Sequence, residues 1–462
     1  MKHGLTLVAT AALLAACAGP EPKQPSAAEA AQAALPATGF PSTGETASAG
    51  ATPADALPWA QAFRGERLQQ LIPLALANNR DLRVAAASIE SARAVAAARD
   101  ADLWPTVNAG LSGSRTPNAS GGITSNYQAG MQVSAYELDL FGRLRGISAA
   151  AQAQLLAAEA NQQAVRIALV AAVATTEIAL QADEALLKIT RDTLASREQS
   201  LDLVRQRFEG GITSEIDLRT AESALQAARV AYAQTRRQRA LDQNALVLLL
   251  GAALPADLPA PTGQLADFEP LAELPAGVPS EVLTRRPDIR QAEQQLAAAD
   301  ANIGAARAAF FPRITLTGSF GTTSSQLDNL FRNSAWSFAP SLLQPLFDAG
   351  RNRANLAAAR AQRDAATAQY EKAVQSAFRD VADALAGRAT LAEQRAAQAA
   401  QVDAEARRLA LADERYRAGI ASSLEVLDAQ RSLFAAQQAL VQVQSVRAQN
   451  LVAVYRVLGG GG

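Results

Sequence analysis

Residues 143–209 read RLRGISAAAQAQLLAAEANQQAVRIALVAAVATTEIALQADEALLKITRDTLASREQSLDLVRQRFE, a run without proline and without glycine after Gly146. Val173, Leu180, Leu187, Leu194, Leu201 and Phe208 recur every seven residues. That period is a coiled-coil stripe, in which one seam keeps facing a partner as the helices supercoil. As a helix the run would be roughly 100 Å long. A compact domain has no use for such a length, so the helix is expected to span something.

The stretch occurs twice. Arg351 to Arg417 has the same length, and a shift of about two hundred residues aligns the flanks. Asn79-Arg80-Asp81-Leu82 falls on Arg286-Pro287-Asp288-Ile289, and Leu103-Trp104-Pro105 on Phe310-Phe311-Pro312. Arg207-Phe208-Glu209-Gly210-Gly211-Ile212 falls on Arg415-Tyr416-Arg417-Ala418-Gly419-Ile420, and Leu250-Gly251 on Leu458-Gly459. A tandem duplication accounts for all of these together. The second copy keeps the stripe at Val374, Val381, Val402, Leu409 and Tyr416, interrupted by Arg388 and Arg395.

Net charge is −1, which argues against a nucleic-acid partner, and the alanine-rich, aromatic-poor composition suits long, closely packed helices. The single histidine, His3, lies in a leader: Lys2 and His3 are followed by the apolar Leu5 to Ala15 and then by Leu14-Ala15-Ala16-Cys17, which resembles a bacterial lipobox. Residues 1–16 are therefore read as a lipoprotein signal peptide. Cys17, the only cysteine, becomes the first mature residue, carrying diacylglycerol and an N-acyl chain as its only expected non-protein group. Ala18 follows it where an inner-membrane lipoprotein would often have Asp, so the expected address is the outer membrane. A mature chain without His or a free thiol has no His-based triad, Cys nucleophile or His-ligated metal site. No phosphate-binding glycine loop is present either. No catalytic residues, metal or cofactor are expected, and the chain is not read as an enzyme.

The Ala/Pro/Ser-rich stretch to Pro58 is a tether; with a first helix near Leu68 to Asn78 it makes up residues 17–78. The first repeat is 79–253, a Pro-rich connector 254–285 and the second repeat 286–462. In each repeat a helix (Asp81 to Leu103; Pro287 to Phe310) is stopped by proline. Two alternating segments follow. Val107, Ala109, Leu111 and Gly113, then Tyr127, Ala129, Met131, Val133 and Ala135, carry one apolar face, with a loop at Arg115 to Asn126 between them. Ile314, Leu316, Gly318 and Phe320, then Trp336, Phe338 and Leu342, do so in the second copy. Alternation over this length fits tilted transmembrane strands. Pro340 cannot donate to a ladder, so a bulge is expected there. Each long helix ends at glycine. Ser214 is the expected N-cap of one return helix, and Ser422-Ser423-Leu424-Glu425 a capping box for the other. Four strands cannot close a barrel, and an open edge in lipid leaves backbone groups unpaired at several kcal/mol each. Several chains must share the barrel if the strands lie in a membrane; three would give twelve strands above a ring of helices.

The stretch Leu274-Pro275-Ala276-Gly277-Val278-Pro279-Ser280-Glu281, with Arg285-Arg286-Pro287-Asp288-Ile289-Arg290 and Ala301-Asn302-Ile303-Gly304 through Phe311-Pro312-Arg313-Ile314, resembles the signature of outer-membrane efflux proteins. The chain is similar to the TolC superfamily, in its OprM/NodT-like lipoprotein branch. The resemblance implies a mainly α protein with a membrane β-barrel. It also implies a homotrimeric exit duct of a Gram-negative outer membrane, docked by a periplasmic adaptor and an inner-membrane efflux transporter. The expected cargo is drugs or other toxic small molecules; a channel for type I protein secretion is the alternative. It further implies a periplasmic gate at the helical turns, with a leucine ring at Leu424 and an acidic ring at Asp428. Glu425 adds charge, Ile216 and Asp217 hold the matching positions on the other turn, and Tyr416 and Arg431 latch neighbouring turns.

Overall fold

The computed structural model describes residues 58–265 and 286–460, apart from 64, 118 and 120. The signal peptide, Cys17, the tether up to residue 57 and connector residues 266–285, with the Leu274 to Glu281 motif, lie outside the described residues.

A short helix α1 (Trp59–Ala62) leads into α2 (Glu66–Asn78), α3 (Arg80–Ala101), strands β1 (Val107–Pro117) and β2 (Ile123–Leu138), the long α4 (Arg143–Glu209) and the return helix α5 (Glu215–Leu250). The second repeat gives α6 (Pro287–Ala308), β3 (Arg313–Ser324), β4 (Ser334–Leu343), the long α7 (Arg351–Arg417) and the return helix α8 (Ser423–Val457). Both long helices contain 67 residues, and both start after a glycine in the left-handed region, Gly142 at φ 78° and Gly350 at φ 85°. An aspartate caps each start: Asp139 accepts from the Leu144 and Arg145 amides, Asp348 from those of Gly350 and Asn352. The expected helix limits hold because proline and glycine punctuate them.

The repeat extends to tertiary contacts. Asn79 donates to the Leu249 carbonyl at 2.9 Å, and Arg286, its counterpart, donates to the Val457 carbonyl at 3.1 Å. Different side chains thus tie the foot of the return helix to the same place in each copy. Along the α4 stripe, Val173, Leu180, Leu187 and Leu201 are buried, whereas Phe208 is exposed near the turn. α4 alone among the described helices has the length and apolarity to cross a bilayer, yet half of that apolar window is buried, so its apolarity serves packing. The main core joins α1, α2, the middle of α4 and the ends of α5 and α8, with Phe63 edge-on to Tyr455 at 5.0 Å.

A buried polar network fastens the connector to this core. Arg67 donates two hydrogen bonds to Glu177, at 2.6 and 2.9 Å, and another to the Pro259 carbonyl. Gln181 donates to Glu177 at 2.7 Å and accepts from the Thr262 and Gly263 amides at 3.0 Å each. Every strong acceptor on Glu177, which is 1% exposed, is therefore engaged.

The strands form one antiparallel sheet in the order β1-β2-β3-β4. The hairpin strands run longer than expected: β1 reaches Pro117 and β2 begins at Ile123, because the Ser/Thr/Asn residues of the presumed loop continue the pairing. The expected bulge at Pro340 is absent. Pro340 pairs with Leu316 in unbroken register, on a strand at the edge of the chain's own sheet, where a missing donor is tolerated. The irregularity lies instead in β2 between Val133 and Tyr136, where Ala135 takes φ 52° and its amide is satisfied by the Thr317 hydroxyl. Leu111, Met131, Phe320, Trp336, Phe338 and Leu342 are all 62–77% exposed on the same face of the sheet. At Gly130 and Gly321 the β2 and β3 backbones approach so closely that a Cβ on Gly130 would sit 2.6 Å from the Gly321 Cα.

Candidate functional site

The far ends of α4 and α7, one long helix away from the sheet, carry two matching turns. In the first, the Ile212 amide donates to the Arg207 carbonyl and the Gly211 amide to Phe208; in the second, Ile420 donates to Arg415 and Gly419 to Tyr416. Both are Schellman closures with glycine at positive φ, 72° at Gly211 and 74° at Gly419. The return helices then start differently. Ser214 and Asp217 form a reciprocal capping box, whereas Ser422 makes no side-chain cap bond. The expected box at Ser422 and Glu425 fails because Glu425 turns to Arg415, 3.5 Å away.

Two contacts join the turns within one chain. The Arg207 guanidinium lies 4.2 Å from the centre of the Tyr416 ring, and Tyr416 is buried among Ala412, Val426 and Ala429. The Ser423 hydroxyl donates to Asp217 at 2.9 Å. Hydrogen bonds from Ser214, Thr213 and Ser423 hold the Asp217 carboxyl at about 2, well below its ordinary value. Tyr416 thus touches the end of α4 at the opposite turn through Arg207, an arginine that the sequence reading did not single out. Among the described residues, Arg431 reaches no other turn: it bonds to Asp428 in its own helix at 2.6 Å, because the two are three residues apart. Asp428 also accepts from Arg408 on α7, and the two arginines, Arg408 foremost, keep its carboxyl low.

Leu424 and Ile216, each in the first turn of a return helix, are 64% and 78% exposed. They are not core residues of their own hairpins. A groove of about 930 Å³ between α5 and α8 brings Ile216, Leu424, Asp428 and Arg431 together with Arg197 and Arg219. Asp217 and Tyr416 lie in the contact between the turns, and Glu425 on the side facing Arg415. Arg197 escaped the sequence reading. It is buried, donates to Gln430 at 2.6 Å, and has its pKa lowered by burial. A charge on a long helix carries no mark of burial in sequence alone.

A sheet with one exposed apolar face and two unpaired edges, continuous with helical hairpins that end in exposed leucine and carboxylate residues, defines one wall segment of a membrane duct. The outer membrane efflux protein family model matches residues 71–252 and again 278–460, and the chain belongs to this family. It is 44% identical over 470 residues to the toluene efflux pump outer membrane protein TtgC of Pseudomonas putida, covering 100% of this chain and 96% of the relative. It is 47% identical over 418 residues to the solvent efflux pump outer membrane protein SrpC of the same species, covering 88% of each. Among solved structures, the open-state MtrE outer membrane channel of Neisseria gonorrhoeae aligns with a TM-score of 0.84 at 39% identity, over 96% of this chain and 98% of that one. The protein is an efflux duct of the Gram-negative outer membrane that reaches into the periplasm, and not an enzyme.

Proposed function

We propose that three copies of this chain form the exit duct of a tripartite pump, which passes toxic small organic molecules from a periplasmic adaptor and an inner-membrane transporter to the outside. The observation that carries this is the pair of unpaired edges, β1 and β4, on a sheet with one exposed apolar face. In hydrocarbon those edges must be paired, and three chains of four strands close a barrel of twelve. The relatives named for toluene and solvent efflux favour small apolar cargo over protein secretion. In this reading Cys17 is acylated and adds a lipid anchor that the barrel does not depend on.

The turns close the duct at its periplasmic tip. Leu424 supplies an apolar plug and Asp428 a ring of carboxylates. Glu425, Ile216 and Asp217 border it, with Tyr416 holding the two turns of a chain together and Arg431 latching the turn of a neighbouring copy. Support comes from the exposure of Leu424 and Ile216, which have no partner in their own hairpins and are free to face the axis. The test is planar-bilayer conductance of the wild type against Leu424→Ala combined with Asp428→Ala. A larger, more frequently open channel and entry of bulky antibiotics into expressing cells are expected. Unchanged conductance and permeability would place the constriction elsewhere.

A further inference from the structure

The groove between α5 and α8 holds a charge that the closure of the duct does not use. Three arginines line it, Arg197, Arg219 and Arg431, against two carboxylates, Glu215 and Asp428. Both carboxylates are matched. Glu215 pairs with Arg219 at 3.1 Å, and Asp428 pairs with Arg431 at 2.6 Å and with Arg408. Arg219 is also held by Glu222 at 2.9 Å. Arg197 is different: among the described residues it has no carboxylate within ion-pair reach, and its one hydrogen bond goes to the neutral Oε1 of Gln430.

Arg197 is also the buried member of the three, at 7% exposed. It comes from α4, whereas Arg219 and Arg431 stand on the return helices and reach water. Burial first, and the charge of Arg431 second, disfavour its cationic form. A guanidinium nevertheless stays charged in a protein. A charge withdrawn from water without a counter-charge is unfavourable, so the missing partner is an anion.

The guanidinium is held ready for one. Gln430 donates through Nε2 to the Ser196 and Ser200 hydroxyls, at 3.2 Å each. With its amide nitrogen engaged by α4, its oxygen is left for Nη1 of Arg197. One corner of the fork is thereby fixed, and the other donors remain for a planar acceptor such as a carboxylate. Around it the walls are apolar: Ile216, Ala224 and Ala227 on α5, and Leu424, Leu427 and Phe434 on α8. The volume, about 930 Å³, falls in the range of small-molecule sites, roughly 300–1,000 Å³.

We propose that this groove is a binding subsite for amphipathic organic anions, whose carboxylate pairs with Arg197 and whose apolar body lies between α5 and α8 toward Ile216 and Leu424. The inference rests on the duct proposed above and names a class of cargo held at its helical tip. A neutral molecule of the same shape gains only the apolar contact. A cation gains nothing more, because both carboxylates of the groove are already engaged by arginines.

The test is calorimetric titration of trimers in lipid nanodiscs with naphthoate and with the neutral naphthamide. Naphthoate is expected to bind once per chain, about tenfold more tightly than naphthamide, as a charge-assisted bidentate contact allows. Arg197→Gln should weaken naphthoate about tenfold and leave naphthamide unchanged, whereas Arg197→Lys should keep part of the preference, since the charge stays and the fork is lost. Ala227→Trp fills the groove from an exposed position with Arg197 intact, and should weaken both ligands. Should Arg197→Gln fail to assemble, Arg197→Lys and Ala227→Trp carry the test. Equal affinity of the wild type for the two ligands, or naphthoate binding that neither Arg197→Gln nor Ala227→Trp weakens, overturns the subsite. Naphthoate binding to monomers but not to trimers also overturns it, because a carboxylate of a neighbouring copy then fills the place. Channel recordings on the same preparation separate the two readings. A conducting trimer that does not bind naphthoate overturns the subsite alone, and naphthoate binding by a protein that does not conduct supports the subsite and overturns the duct.

Discussion

Replacing Ser423 by Ala removes one hydrogen bond and little else, since Ser423 sits in the first turn of α8, where Ala is a good helix former, and its hydroxyl donates to Asp217 on the other turn. Asp217 is held at about 2 against an ordinary 3.8, which corresponds to about 2.4 kcal/mol. Partial solvent exposure reduces this to about 1–2 kcal/mol, shared among three hydroxyls. Ser423, the last of the three in size, is thus worth about 0.5 kcal/mol, at the low end of the net value of one hydrogen bond. If opening the duct parts the two turns of a chain, Ser423→Ala shifts that equilibrium about twofold per chain toward open. Asp217→Ala has a larger effect, because the α5 cap goes with it. The assay is single-channel open probability for each variant and for the double variant. Because both changes remove the same bond, their effects should be less than additive. The pH response has a definite sign. The Asp217 carboxyl is lowered in the folded state, so its stabilisation is complete above about pH 4 and is lost as pH falls toward 2. An open probability unchanged in both single variants would show that the two turns of one chain move together during opening, and strict additivity in the double variant would show that the Ser423–Asp217 bond does not link them.

Glu177→Gln should be far more damaging than its distance from either end of the duct suggests. It leaves the guanidinium of Arg67 without its charge partner in the core, at about 3–5 kcal/mol. Faster hydrogen exchange in α2 and at residues 259–263 would reveal it, and wild-type protection there would refute the account. Asp183 has its carboxyl pushed up to about 7 by burial and by the adjacent Asp242. The folded protein therefore holds a proton there that the unfolded chain releases, and stability should decline as pH rises from about 4 to 7. Asp183→Asn should flatten that decline and melt higher than wild type at pH 8. Fatty-acid labelling should disappear in Cys17→Ser while trimers still assemble; label that persists would place the anchor elsewhere.

What was legible in the sequence was what local rules govern. α4 and α7 have the limits their punctuation implies, because a left-handed glycine before each and a glycine turn after each leave no choice. The apolar strand faces could be read because period-two alternation survives even when the polar residues are small. The hairpin tips were cut short because Ser, Thr and Asn serve both turns and the water-facing ends of strands. Pro340 suggested a bulge because the rule concerns missing donors, and its position at the edge of the sheet is a property of the fold. At the tip, both Ser214 and Ser422 read as caps. Only one forms a box, since the fate of Glu425 depends on Arg415 in another helix. In the network of Arg67, Glu177, Gln181 and the connector backbone, the bonded pair Arg67 and Pro259 lies 192 residues apart. No periodicity links such positions, and the network became visible only in three dimensions.

The close approach of Gly130 and Gly321 bears on how freely a duplicated chain can diverge. The two glycines belong to different repeats, and a methyl group on either would collide with the backbone of the other strand. Neither position can accept a side chain first and wait for the other to adapt, because the obstruction is main chain, which no second substitution removes. Helices, turns and caps can differ between the two copies, as Asn79 and Arg286 do, but at this crossing any side chain meets main chain.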